Sequence, residues 1–279
     1  MKKIVLLLCL SAQTLSAEPA AKPDSVLQYA SPVTLPSISK PKAPRLLLLG
    51  AGHAVALVYT YDQTQKSWGG STGKFHFKSD WTRDGLAQND EVSHLVVGYT
   101  MTKEFYRAYR WAGFSPKKAK IFSALESAFL LTVVEVPMDA FNTTQGFGVE
   151  DLIADYAGVG VGLLKLNHPG HWDLKASAKA NPFSSQKHLF SQTSEQFDNF
   201  IFWGTYRPQL KWDDRQPFSL GIGYGTRRAS NGISPWRELY FGLGTTLPDI
   251  IRIFSPKMAH TLEVLDFYYL NLNLHATIK

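Results

Sequence analysis

An α+β fold, a bundle of about four helices followed by a small strand-containing module, follows from a change of periodicity along this 279-residue chain. Three observations predict it. Apolar residues recur at helical spacing through residues 45–166, punctuated by Gly113, Pro116 and the Gly146-Phe147-Gly148 break. Residues 196–279 instead alternate large with small, or apolar with polar, side chains, the pattern of pleated strands. A 44% hydrophobic and 19% charged composition supplies a packed core and excludes disordered, collagen-like and disulfide-framework classes.

The amino terminus sets the compartment. Met1-Lys2-Lys3 precedes an apolar run over residues 4–10, and Leu15-Ser16-Ala17 offers a small-residue cleavage site. Residues 1–17 therefore read as a signal peptide, cut near Ala17, because the apolar run falls far short of the roughly 20 residues of a bilayer span. This predicts an exported chain, periplasmic or outer-membrane-associated. Cys9 is the single cysteine and lies inside this segment, which removes disulfides and thiolate chemistry from the mature chain. Lipid attachment at Cys9 is the alternative, although Leu6-Leu7-Leu8 lack the small residue that such a cut requires. The formal charge of +6 falls to +4 with Lys2 and Lys3 set aside, and no Lys/Arg-rich run is present, so no nucleic-acid partner is expected. Residues 18–44 carry Pro19, Pro23, Pro32, Pro36, Pro41 and Pro44, a Pro-rich tether that cannot sustain a helix.

The helical region, 45–166, begins with 16 uncharged residues at 46–61, short for a span and suited to a buried or interfacial helix. A second helix is predicted over about 89–111. A third, about 116–140, starts with Pro116 in its first turn and has Pro137 to loosen its last. A fourth follows Gly148 to about residue 166. Short connections favour antiparallel packing of these helices. Residues 167–195 read as a linker and 196–279 as the α+β module. Its strands are expected at 218–224, 239–244 and 270–275, with a helix over 249–267. That is too little chain for an outer-membrane barrel.

Three of the helices carry polar pairs spaced by four, Asp90 with His94, Glu135 with Asp139, and Asp151 with Asp155, and such pairs share a helical face. Glu135 stands among Leu130, Leu131, Val133, Val134 and Val136, so a buried carboxyl there must be paired, protonated or cation-bound. The six groups can therefore gather in one polar cluster. As a structural network, the cluster would pair His94 with carboxylates and place Asp90 and Asp151 at helix amino termini, where the macrodipole favours them. As a functional site it would hold a divalent cation on Asp90, His94 and Glu135, with oxygen-rich ligation favouring Mg, Mn or Ca over Zn. Ala154, Gly158 and Gly162 form a nearly smooth face on the fourth helix, suited to close helix packing. His53 reads as a core residue and His168 and His171 as turn residues. No Gly-x-Ser-x-Gly elbow is present.

The combination of Lys74-Phe75-His76-Phe77, Asp80-Trp81, Asn89 to His94, Glu135 to Asp139 and Gly148 to Gly158 resembles the YfiM-like family of predicted periplasmic or outer-membrane lipoproteins. A more distant similarity runs to VanZ-like membrane proteins. The resemblance covers about residues 74–166 and extends loosely to 220–224 and 237–247. The family pattern has lysine where Glu91 stands and usually asparagine where Asp155 stands, so this chain's cluster is more acidic. The resemblance and the sequence together imply an exported cell-envelope protein, non-catalytic and membrane-associated, whose partners are a membrane surface or envelope components. The alternative is a metal-dependent hydrolase of an envelope lipid or glycan, with Asp90, His94 and Glu135 as ligands and Asp139, Asp151 or Asp155 as general base or as a group orienting those ligands.

Overall fold

The computed structural model describes residues 41–68, 70–78, 87–179, 199–208, 216–228 and 235–278. The signal segment, Cys9 and most of the tether lie outside the described residues, as do Asp80 and Trp81.

Helix α1, Ala43–Trp68, starts inside the expected tether, with Pro44 in its first turn, and outruns the apolar 46–61 stretch. Over residues 46–61 apolar side chains run round the helix, leaving no polar face there to separate water from core. Leu47, Val55 and Val58 stay exposed, Val58 by 71%. The helix is held to the body at Arg45, which donates to the Trp111 carbonyl (2.7 Å) and lies over the Trp111 ring, and at His53, which meets Glu126 and the edge of Phe105. Close bundle packing belongs to the next three helices, α2 (Asn89–Ala112), α3 (Pro116–Val133) and α4 (Val149–Asn167). Gly113, at φ 100°, ends α2, and Ser115 caps α3 by accepting from the Lys118 amide.

The smooth face read on the fourth helix lies against α2. A Cβ built on Gly158 would stand 2.2 Å from the Leu95 carbonyl oxygen, and one on Gly98 would stand 2.5 Å from that of Asp155. Gly162 sits against Thr102, and Ala154 is buried. The two backbones are therefore in contact, an approach that a single methyl group would block. Beyond Val133 the chain of α3 continues in a wider turn, Val134–Asp139, in which the Ala140 amide reaches back five residues to the Glu135 carbonyl (3.1 Å). Pro137 lies in this turn and donates no amide hydrogen, which accounts for the departure from regular α geometry.

Two short strands, β1 (Phe77–Lys78) and β2 (Phe147–Gly148), pair in parallel beside the amino end of α4. The carboxyl-terminal region forms a five-stranded antiparallel meander, β3 (Trp172–Ala178), β4 (Phe200–Tyr206), β5 (Ser219–Arg228), β6 (Pro235–Thr245) and β7 (Leu270–Ile278). The α+β class stands. Three details differ from the sequence reading: β3 lies in the stretch 167–195 expected as linker, β4 is not among the three strands expected in the module, and the single helix expected over 249–267 is broken. In its place are α5 (Leu247–Phe254), α6 (Pro256–Thr261) and a 3₁₀ turn, Glu263–Leu265. Ser255 ends α5 in extended geometry and caps α6, whose first residue, Pro256, has no amide hydrogen to continue the earlier helix.

The sheet faces are sorted in an unusual sense. Gly221, Gly223, Gly242 and Gly244 line the inner face because Trp203 and Tyr269 occupy the space their side chains would need. Trp203 and Tyr269 pack with Ile201 and Tyr240 as the core, and the Trp203 indole donates to Ser177 (2.8 Å). The outer face carries two rows matched across three strands, Leu220–Leu243–Leu272 and Ile222–Phe241–Leu274. All six side chains are exposed.

Charged groups tie the sheet to α2. Lys103 bridges Asp173 (3.0 Å) and Asp266 (3.5 Å), Arg107 pairs with Asp266 (2.9 Å), and Lys175 with Asp173 (3.1 Å). Burial pushes both aspartates up, but the surrounding lysines and arginine outweigh it and hold them well below the usual carboxylate range.

Candidate functional site

The structure brings the six polar residues expected at one level into one neighbourhood. Asp90 and His94 lie on the first turns of α2, Glu135 and Asp139 on the wide turn after α3, and Asp151 and Asp155 on the first turns of α4. The close approach of α2 and α4 through Gly98 and Gly158 sets Asp155 beside His94, whose Nδ1 is hydrogen-bonded to Asp155 Oδ1 (3.0 Å). Glu135 Oε1 lies 3.8 Å from the same nitrogen. On the other side of the ring, His94 Nε2 stands 3.4 Å from Asp90 Oδ1, and Lys78 from β1 reaches Asp90 Oδ2 at 3.7 Å.

Asp90 and Glu135 thus meet His94 through different ring nitrogens, so the expected ligand trio Asp90, His94 and Glu135 does not converge on one point. Two other sets do. In each of Asp90–His94–Asp151 and His94–Glu135–Asp155, one ligand atom per residue lies within 4.8 Å of the others.

Five carboxyl groups here face two cationic groups, His94 and Lys78. Burial pushes Glu135 up, partly offset by His94 and reinforced by Asp139, Asp151 and Asp155, to a pKa of about 9. Burial likewise raises Asp139 to about 8, against the pull of His94 and Lys78. Burial also raises Asp155, despite its bond to His94. Asp90 is pushed up by burial but ends below its usual value because His94 and Lys78 stabilise its charge. His94 is disfavoured as a cation by burial, yet Asp155 and Asp90 outweigh this and lift it well above the ordinary imidazole range.

These shifts set a pH dependence. Glu135 and Asp139 bind more protons folded than unfolded between the ordinary carboxylate range, about 4, and pH 8 to 9. Their contribution is complete below that ordinary range and is lost as pH rises through 8 and 9; raised His94 adds loss of the same sign at alkaline pH. The lowered aspartates, Asp90, Asp173 and Asp266, stabilise above the ordinary range and fail as pH falls below it. In chelating buffer, the unfolding midpoint is expected to peak near pH 5 and decline toward pH 9. The slope is at most about 1.4 kcal/mol per pH unit for each group titrating. Glu135→Gln should flatten the alkaline decline; a midpoint that rises from pH 5 to 9 contradicts the assignment.

The charged group joining α2 to the sheet, Lys103, Arg107, Asp173, Lys175 and Asp266, did not stand out in the sequence. The spacing of Lys103 and Arg107 by four was visible. Their partners lie 70 and 159 residues away, and no local pattern links them.

Residues 77–167 match a family described as predicted periplasmic lipoprotein (DUF2279). No curated protein and no solved structure matches the chain. The matched segment contains all six clustered residues and the packed glycines of α4. The chain is an exported cell-envelope protein, periplasmic or outer-membrane-associated.

Proposed function

We propose that this envelope protein is a non-catalytic, membrane-associated component whose partner is a lipid surface. The carrying observation is the sheet's outer face. In a water-soluble antiparallel sheet the apolar face packs on the core and the polar face meets solvent. Here the glycines of β5 and β6 lie inward beneath Trp203 and Tyr269, while Leu220, Ile222, Phe241, Leu243, Leu272 and Leu274 face outward, Leu272 by 81% and Leu274 by 79%. A contiguous apolar surface of this kind marks an interaction site. The exposed α1 supports the same reading, since Ala43–Asp62 is long and apolar enough to cross a membrane and packs little of that surface on the body. Helix α3 is similarly apolar, but it packs on α2 and α4 and delivers Glu135 and Asp139 to the interior, so it belongs to the bundle. The likeness to YfiM-like and, more distantly, VanZ-like proteins supports an envelope role at a membrane.

The full chain is expected to sediment with membranes and to float with vesicles of phosphatidylethanolamine and phosphatidylglycerol. Leu272→Glu combined with Leu274→Glu should lower vesicle partitioning at least about tenfold while leaving the fold intact, since both side chains are exposed. Recovery of the wild-type chain in the soluble periplasmic fraction, without flotation, contradicts this reading.

One observation favours the hydrolase reading as a second possibility. Asp139 lies partly buried on the wide turn beside the His94 cluster, its Oδ1 has no hydrogen-bond partner among the described residues, and burial pushes its pKa up to about 8, the range of a general base. Hydrolysis of an envelope phospholipid or glycan that disappears in Asp139→Asn would shift the assignment to this class.

A further inference from the structure

We propose that His94, Glu135 and Asp155 hold a divalent cation at the junction of α2, the wide turn after α3, and α4. Their donor atoms lie within 4.8 Å of one another, with His94 Nδ1 at 3.0 Å from Asp155 Oδ1 and 3.8 Å from Glu135 Oε1. Adjacent ligands around an ion bound at about 2.1 Å stand roughly 3 to 3.5 Å apart, so the set closes when Glu135 turns inward and His94 Nδ1 gives up its proton to solvent as the cation takes its place.

An independent observation points to a ligand. Glu135 is fully buried, and among the described residues neither of its carboxylate oxygens has a hydrogen-bond partner. Asp155, also fully buried, keeps Oδ2 without one. Oxygens carried this far from water need a partner, and a cation between them supplies it. The opposite nitrogen of His94 faces Asp90, the carboxylate–histidine arrangement that orients an imidazole toward a metal. Lys78 lies against Asp90 on that far side. This separates the proposed set from Asp90–His94–Asp151, whose cation would share Asp90 with the Lys78 ammonium. Two carboxylates and one imidazole suit Mn, Mg or a related hard to borderline ion. The inference rests on this geometry and is independent of membrane attachment.

The test uses full-length protein in detergent, stripped with chelator and titrated with Mn²⁺ alone by calorimetry and electron paramagnetic resonance. One ion per chain is expected. Glu135→Gln and Asp155→Asn should each weaken binding at least about tenfold, and Asp151→Asn by less than about threefold. Bound Mn²⁺ should also broaden the ring signals of His94 while sparing His168, a readout on wild-type protein that holds if a variant misfolds. No stoichiometric binding of Mn²⁺, Mg²⁺, Ca²⁺ or Zn²⁺ up to about 1 mM, a range where even weak extracellular sites fill, overturns the proposal. Loss in Asp151→Asn without loss in Glu135→Gln overturns it equally.

Discussion

Gly158→Ala is expected to destabilise the protein by about 3 kcal/mol, whereas Gly160→Ala, two residues along the same helix, should be neutral or stabilising by up to about 1 kcal/mol. The added methyl at position 158 would stand 2.2 Å from the Leu95 carbonyl oxygen and 3.0 Å from the Tyr99 amide nitrogen, both backbone atoms. No rotamer change relieves such a contact; α2 and α4 must separate. At position 160 nothing lies within 4 Å of the built Cβ, so only the helix propensity of alanine acts. Separation at Gly158 would also pull Asp155 from His94, so the variant should lose His94's raised pKa along with stability. Denaturant unfolding of the two variants in the same detergent measures the difference. Equal effects would mean that the helices are not held at backbone contact.

The second large effect belongs to His94. Replacing it with glutamine is expected to cost about 3 kcal/mol or more at neutral pH, because it leaves Asp90 and Asp155 buried without their shared counter-charge. Lys78 still serves Asp90, but among the described residues His94 is the opposite charge acting on Asp155. His168, exposed at the carboxyl end of α4, provides the comparison: its replacement should change stability by less than about 0.5 kcal/mol. The His94 penalty should shrink in mild acid, where the stranded carboxyl groups protonate. A penalty independent of pH would point to lost packing instead.

The helical half was legible because its signals are local. Pairs at a spacing of four mark a face, Gly158 and Gly162 mark a smooth one, and Pro137 announces an irregular turn. What the sequence could not show is which side of His94 each carboxylate approaches, since that depends on where three helices cross. Asp90 and Glu135, expected on one side as co-ligands, therefore lie at opposite nitrogens of His94, with Glu135 on the side of Asp155. Gly98 escaped notice because a lone glycine within a helix has no spacing partner, although its contact with Asp155 helps to set the site. In the carboxyl-terminal half, alternation revealed strands but not their orientation. Leu270 to Leu274 alternates equally well whether its leucines face core or solvent, and the decision lies with Trp203 and Tyr269, which claim the inner face above the glycines. Strand β3 was hidden because Asp173 and Lys175 look like linker residues until Lys103 and Asp266 are placed beside them.

The central claim, that three helices deliver their polar pairs into one shared network at His94, is tested most directly by a double-mutant cycle. Glu135→Gln, His94→Gln and the combined variant are compared with wild type by denaturant unfolding in chelating buffer. Because either single change already disrupts the same buried group, the two effects should be strongly non-additive, with a coupling energy of about 1 kcal/mol or more. A coupling below about 0.3 kcal/mol, the level seen for independent sites, would mean that Glu135 and His94 do not share a network.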